Sequence, residues 1–159
     1  MIFRDATAAD ITALHRVRMA VTENVLQDAA RVTAADYAAF LDDTGKGWLC
    51  EVDGRVVGFA ILDIVGASVW ALFVEPGFDR RGIGLRLHAT MLDWYFAAHD
   101  RPLWLGTEPG TRAERFYPST GWSDAGLRPN GERRFEMTKD QWRAARPRRQ
   151  AVDVPGAGA

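Results

Sequence analysis

Apolar positions along this chain follow two spacings, and each change of spacing marks the edge of an element. Ile2-Phe3-Arg4 reads as a short opening strand. Ile11, Leu14, Val17, Val21 and Val25 then recur at helical spacing, which predicts a helix capped by Asp10 and running to about Val25. Thr33 opens a second helix, Ala34 to Asp42, and Thr44-Gly-Lys-Gly47 closes it. The runs Trp48–Val52 and Arg55–Asp63 flank Asp53-Gly54, a pair that tolerates two successive left-handed residues and so predicts a tight hairpin. Ser68–Val74, reached through Gly66, is a third strand of that sheet. Gly82–Ala98 carries Ile83, Leu87, Met91, Leu92 and Phe96 on the inward face of a long helix. Arg101-Pro102 leads into a strand, Leu103–Thr107; Pro109-Gly110 breaks the chain, and Thr111–Ser119 makes a short helix. Trp122–Leu127 and Arg133–Met137 pair around Pro129-Asn-Gly131, and a terminal helix spans Lys139–Ala145. No repeat or linker interrupts the series, so residues 1–146 are expected to form one domain, with 147–159 an unstructured Pro/Gly/Ala tail.

Composition narrows the classes of function. With 159 residues, 47% of them apolar and 26% charged, the chain can bury a core of its own. A net charge of −1 gives no electrostatic reason to expect a nucleic acid, and Arg143, Arg146, Arg148 and Arg149 read as a solvated terminal cluster. The single cysteine, Cys50, rules out an internal disulfide and sits in the apolar run Trp48-Leu-Cys-Glu-Val52, where a buried thiol is expected. His15, His88 and His99 share no metal-ligand spacing, so no metal is expected. Nothing approaches the roughly 20 apolar residues of a membrane span, and Met1–Asp5 holds no long apolar leader, so a cytoplasmic protein without membrane contact is expected. Of the six tryptophans, Trp48, Trp70 and Trp94 are expected in the core or lining a wall, and Trp104 and Trp122 as packing residues.

The chemistry concentrates where the strand ending Leu72-Phe73-Val74 runs through Glu75-Pro-Gly-Phe-Asp-Arg-Arg-Gly82-Ile-Gly84 into the long helix. A strand that turns through glycines into a helix start gathers backbone N–H groups and the positive end of the helix dipole, which suits a phosphate-bearing ligand. Two nucleotide motifs fail here. A Walker A loop needs Lys and Ser/Thr after its second glycine, and Ile83 and Gly84 stand there; the dinucleotide fingerprint needs a third glycine where Leu87 stands.

Asp79-Arg80-Arg81-Gly82-Ile83-Gly84 instead resembles the acetyl-CoA loop of the GNAT superfamily of N-acetyltransferases, Gln/Arg-x-x-Gly-x-Gly/Ala after a strand, with Asp79 where Gln or Arg is usual. A second stretch, Gly110-Thr-Arg-Ala113-Glu-Arg-Phe116-Tyr117-Pro-Ser-Thr-Gly121-Trp122, is similar to that family's Asn-x-x-Ala-x-x-Phe-Tyr-x-x-x-Gly-Phe, with Gly110 in place of the Asn that commonly touches the pantetheine arm. The likeness spans most of the chain, Met1 to Met137. It implies an α/β fold of order β-αα-βββ-α-β-α-ββ, with a mixed central sheet splayed between the fourth and fifth strands.

The resemblance also implies acetyl-CoA as cosubstrate and transfer of its acetyl group to a primary amine. Backbone groups of Leu72, Phe73 and Val74 would line the pantetheine amides, and Val74 N–H would donate to the thioester carbonyl. Backbone N–H groups from Arg80 through Arg81, Gly82, Ile83 and Gly84 to Leu85 would receive the pyrophosphate, with the two arginines adding charge. Tyr117 would touch the cofactor and protonate the leaving thiolate. Adjacent helical residues point about 100° apart, so Phe116 is expected in the core while Tyr117 faces the cofactor. Some family members carry a Glu base on the strand before the loop; that position is Ser68 here, which cannot serve. The remaining carboxylates are Glu23, Asp28, Glu75 and Glu108, of which Glu108 and Glu23 are the candidate bases and Glu75 reads as solvated. Nothing marks a strongly acidic pocket for polyamines or aminoglycosides, or a groove for a protein tail; the compact chain makes a small-molecule amine the preferred acceptor, and a homodimer stays open. Because Ser68, Asp79 and Gly110 depart from the pattern, two other readings stay open: an acyl-CoA-binding sensor with little turnover, and a transferase acting on protein N-termini or lysines.

Overall fold

In a computed structural model, the structure describes residues 1–24 and 32–146. Contacts group the chain into two compact units, one over Met1–Tyr95 and one from Phe96 onward.

The first unit opens with β1 (Ile2–Asp5), a 3-10 turn (Ala8–Asp10), α1 (Ile11–Ala20) and α2 (Ala34–Leu41), and continues with β2 (Gly45–Val52), β3 (Arg55–Asp63) and β4 (Ser68–Val74). The strands pair antiparallel in chain order. The β2–β3 turn comes out as expected: Val52 faces Arg55, and Asp53 (φ 52°) and Gly54 (φ 77°) are both left-handed, which matches the twist of the strands they join. Leu14 and Val17 of α1 and Tyr37 of α2 pack with Leu49, Phe59 and Ile61 of the sheet. Burial of each such side chain contributes about 1.5–3 kcal/mol, which is why a short helix with so few apolar positions stays in place. Tyr37 meets the ring of Trp70 edge-on at 5.2 Å, and its hydroxyl lies 2.9 Å from His15 Nδ1.

Three expectations in this unit are corrected. Asp10 does not cap α1. Its carboxylate accepts the Thr7 N–H at 2.8 Å and two bonds from Arg4 at 2.9 and 2.8 Å, while Arg4 also reaches Glu51 at 2.8 Å; the group ties β1, the first turn and β2 together. Helix α1 stops at Ala20 because Val21 is extended (φ −69°, ψ 150°), at the start of a β-branched pair, Val21-Thr22, with poor helix propensity. The expected Val25 end lies outside the described residues. Gly45 and Gly47, taken as a helix stop, belong to β2: a Cβ on Gly45 would collide with the Leu62 and Phe40 carbonyls, so glycine is needed there for close approach.

Helix α3 (Ile83–Ala98) buries Ile83, Leu87, Met91, Leu92 and Phe96, the expected face. Of the two settings expected for Trp94, core or wall, it is outside the core: it is 36% exposed, meets Trp48 edge-on at 5.6 Å and has the Lys46 ammonium 5.8 Å from its ring. Cys50 is buried, and that burial pushes its thiol upward, away from nucleophilic character.

The second unit carries β5 (Leu103–Thr107), α4 (Arg112–Ser119), β6 (Ser123–Leu127) and β7 (Arg133–Met137), followed by α5 over residues 139–146. Strand β7 pairs antiparallel with both β5 and β6, from Leu103↔Met137 and Ser123↔Glu136. Leu103, Leu105, Tyr117, Trp122, Phe135, Met137 and Trp142 are buried. The Arg128 and Arg134 guanidiniums lie 4.8 and 4.6 Å from the Trp104 ring. The α/β class and the element order are those expected from the chain's pattern.

Candidate active site

The turn between β4 and α3 is shaped by its own backbone. Glu75 N–H donates to Val57 C=O at 2.7 Å, and Phe73 faces Phe59 two residues back. In an antiparallel ladder the direction of N–H alternates, so Phe73 turns its backbone groups toward β3 while Leu72 and Val74 turn theirs to the opposite edge. Phe78 N–H then bonds Glu75 C=O at 3.0 Å, starting the turn.

Arg80 (φ 63°), Gly77 (φ 95°) and Gly82 (φ 77°) are left-handed, and open space surrounds the position where a Cβ on Gly82 would stand. The first ladder bond of α3 runs from Arg86 N–H to Gly82 C=O at 3.0 Å. The N–H groups of Ile83, Gly84 and Leu85 precede that bond and have no acceptor within the helix. A Cβ on Gly84 would touch only Val74 Cγ2, at 3.6 Å, an ordinary contact; the protein's own packing does not require glycine there. Arg80 and Arg81 are exposed, with the Arg81 guanidinium 5.0 Å from the Phe78 ring. The Asp79 carboxylate turns back on the loop and accepts Gly77 N–H at 2.9 Å, which answers why an acid is tolerated in this motif. An open cradle of N–H groups flanked by two cations is suited to a diphosphate.

The second motif opens with Gly110 at φ 79°, in space that a Cβ would not crowd. Asn is the other residue at home in that conformation, so the exchange of Asn for Gly leaves the backbone requirement met and removes only a side chain. Thr111 then caps α4 by accepting Glu114 N–H at 3.3 Å. The burial order of the aromatic pair is the reverse of that expected. Tyr117 is the buried member, at 6% exposure, and Phe116 is half-buried. Tyr117 packs at 5.6 Å from Trp122 and 5.9 Å from Phe135, and that burial raises its phenol above the ordinary value of 10.0.

The carboxylates fall into distinct settings. Glu108 is exposed just after β5. Glu23 is half-buried on the bend after α1, not on the helix. Asp28 lies outside the described residues. Ser68 is buried at the start of β4, opposite Asp63. Glu75, expected to be solvated, is instead 9% exposed and accepts bonds from both Arg16 and Arg55. The Arg55 guanidinium holds its carboxyl below the usual carboxylate range, so it is ionised and a poor base. The pairing escaped the sequence because its partners lie 59 and 20 residues away along the chain. Among the described residues no cluster of His, Cys, Asp and Glu could hold a metal ion, and no helix is long and apolar enough to cross a membrane.

The chain belongs to the acetyltransferase (GNAT) family, whose model matches residues 11–122. No curated protein matches it. Among solved structures it is similar to the PaiA N-acetyltransferase of Thermoplasma acidophilum in complex with coenzyme A (TM-score 0.76, 12% identity, covering 86% of this chain and 98% of that one). It is also similar to a ribosomal-protein-alanine N-acetyltransferase from Brucella melitensis (TM-score 0.70, 22% identity, 87% and 99% covered). A third similar structure is yncA of Salmonella typhimurium with its cofactor acetyl-CoA (TM-score 0.71, 18% identity, 88% and 94% covered). At these identities the likeness is one of fold.

Proposed function

We propose that this chain is an acetyl-CoA-dependent N-acetyltransferase that acetylates a primary amine of a small molecule by direct attack. The observation that carries the reading is the β4–α3 turn, an open, glycine-framed set of helix-start N–H groups in a chain of the acetyltransferase family. When bound, acetyl-CoA supplies an activated acyl thioester.

In this reading the N–H groups of Gly82, Ile83, Gly84 and Leu85 bind the pyrophosphate, and Arg80 and Arg81 neutralise its charge. Leu72 and Val74 offer their outward backbone groups to the pantetheine amides; Phe73, expected to do the same, has its backbone groups on β3 and its ring against Phe59. Val74 N–H stabilises the charge that develops on the carbonyl oxygen, a contribution of about 3 kcal/mol for a single such donor. Tyr117 holds its proton throughout the neutral range and delivers it to the leaving sulfur; the rise in its phenol pKa supports this by keeping the acid form populated. The amine must shed a proton before attack, and Glu108 or Glu23, acting through water, is the proposed base. Glu75 is excluded from that role by its two arginines.

A second acceptor class is favoured by one observation: a similar structure is an N-acetyltransferase of a ribosomal protein. Both classes are tested together by measuring CoA thiol release with a panel of small amines and of peptides bearing free N-termini or lysines. Turnover of small amines above peptides is expected. The reverse preference moves the acceptor to protein, CoA binding without turnover makes the chain a sensor, and absence of CoA binding overturns the whole reading.

A further inference from the structure

We propose that Glu75 is a positioning residue for the anion loop, set by an arginine clasp that joins α1 and the β2–β3 hairpin to the loop's first residue. This rests on reading the β4–α3 turn as the diphosphate site.

Glu75 stands where the ladder ends and the turn begins, with its N–H on Val57 C=O and its C=O taken by Phe78 N–H. Its side chain, 12% exposed, accepts from Arg16 Nη1 at 3.1 Å and from Arg55 Nε at 3.1 Å, with Arg55 Nη2 on the other oxygen at 2.5 Å. Arg16 comes from α1 and donates a further bond to Val56 C=O at 2.5 Å. Arg55 opens β3, directly after the Asp53-Gly54 turn. One carboxylate therefore fixes three segments, and the fork of Arg55 defines the carboxylate plane as well as its place. Ending a strand requires none of this; a solvated residue would do. Removing water from a carboxylate is costly unless it is fully paired, so the two arginines and the glutamate act as one unit. The loop that follows has Asp79 on Gly77 as its internal brace, and the clasp supplies its fixed end.

The test separates positioning from simple stabilisation. CoA is titrated calorimetrically into wild type, Glu75→Gln, Arg55→Gln and the double variant, well below their melting temperatures, and the melting temperatures are recorded alongside. The Arg55 side chain is 55% exposed, so Arg55→Gln keeps the fold even where Glu75→Gln does not. Each single variant is expected to weaken CoA binding about tenfold, with the double no weaker than the worse single, as for members of one network. Wild-type affinity in Arg55→Gln, or additive losses in the double variant, overturns the proposal whatever happens to the melting temperature. Failure of wild type to bind CoA is a different result and overturns the function on which the proposal rests.

Discussion

Gly82 lies exposed with open space where a side chain would stand, whereas Tyr117 is packed among Phe116, Trp122 and Phe135 and nearly removed from water. In the proposed reading the loop makes its offer chiefly with backbone N–H groups, with Arg80 and Arg81 adding charge. The second motif, in the same reading, makes its offer with one phenol, which the rings of Phe116, Trp122 and Phe135 bury. A site made of backbone tolerates exchange of side chains, so Asp79 can stand where the family carries Gln or Arg and still brace Gly77. A site made of one side chain admits no such exchange. Gly110 fits the same rule, since the backbone conformation survives the loss of Asn.

The largest expected effect follows from the second kind of site. With an acceptor in hand, Tyr117→Phe should lower kcat about 100-fold or more while leaving the KM for acetyl-CoA nearly unchanged. The sign of the pH effect is set by the proton: the acid works protonated and burial raises its pKa, so Tyr117 causes no alkaline fall in kcat below pH 10.0. An unchanged kcat in this variant would remove Tyr117 from the chemistry and end the contrast. Next come the glycines, compared by CoA titration and thermal melts. Gly84→Ala should keep or raise stability, by up to about 1 kcal/mol from helix propensity, and leave CoA binding nearly unchanged, since the family pattern admits Ala there and the methyl would rest against Val74 Cγ2. Gly82→Ala should instead lose about 1 kcal/mol of stability, because its φ of 77° is strained for any Cβ. A large loss of CoA affinity in Gly84→Ala would mean that the ligand approaches this helix start more closely than an alanine allows. The smallest effect is at Asp79. Asn keeps the oxygen that accepts Gly77 N–H and removes a negative charge, so Asp79→Asn should tighten CoA binding by about threefold, the scale of one exposed charge. Weaker binding would show that the charge itself, and not the acceptor oxygen, shapes the turn.

Much of the fold was readable where local chemistry leaves one solution. Asp53-Gly54 admits two left-handed residues and so sets the β2–β3 register, and the buried face of α3 repeats every three or four residues without a break. The reading failed where distant groups decide. Gly45 looks like a turn residue until Leu62 and Phe40 are seen to crowd it, and Glu75 looks solvated until Arg16 and Arg55 arrive from other elements. In the pair Phe116-Tyr117, helical geometry says that the two side chains diverge but not which is buried; Trp122 and Phe135 decide it for Tyr117. The loop itself was legible because glycine spacing reports backbone shape directly.

Backbone N–H groups at the start of α3 are proposed to receive the cofactor's phosphates. Amide-resolved NMR of the wild-type chain, titrated with CoA, tests this without any need for the acceptor. Saturable shifts are expected, concentrated at the amides of Gly82, Ile83, Gly84 and Leu85. Saturation of CoA binding with those four amides unmoved would contradict the proposal.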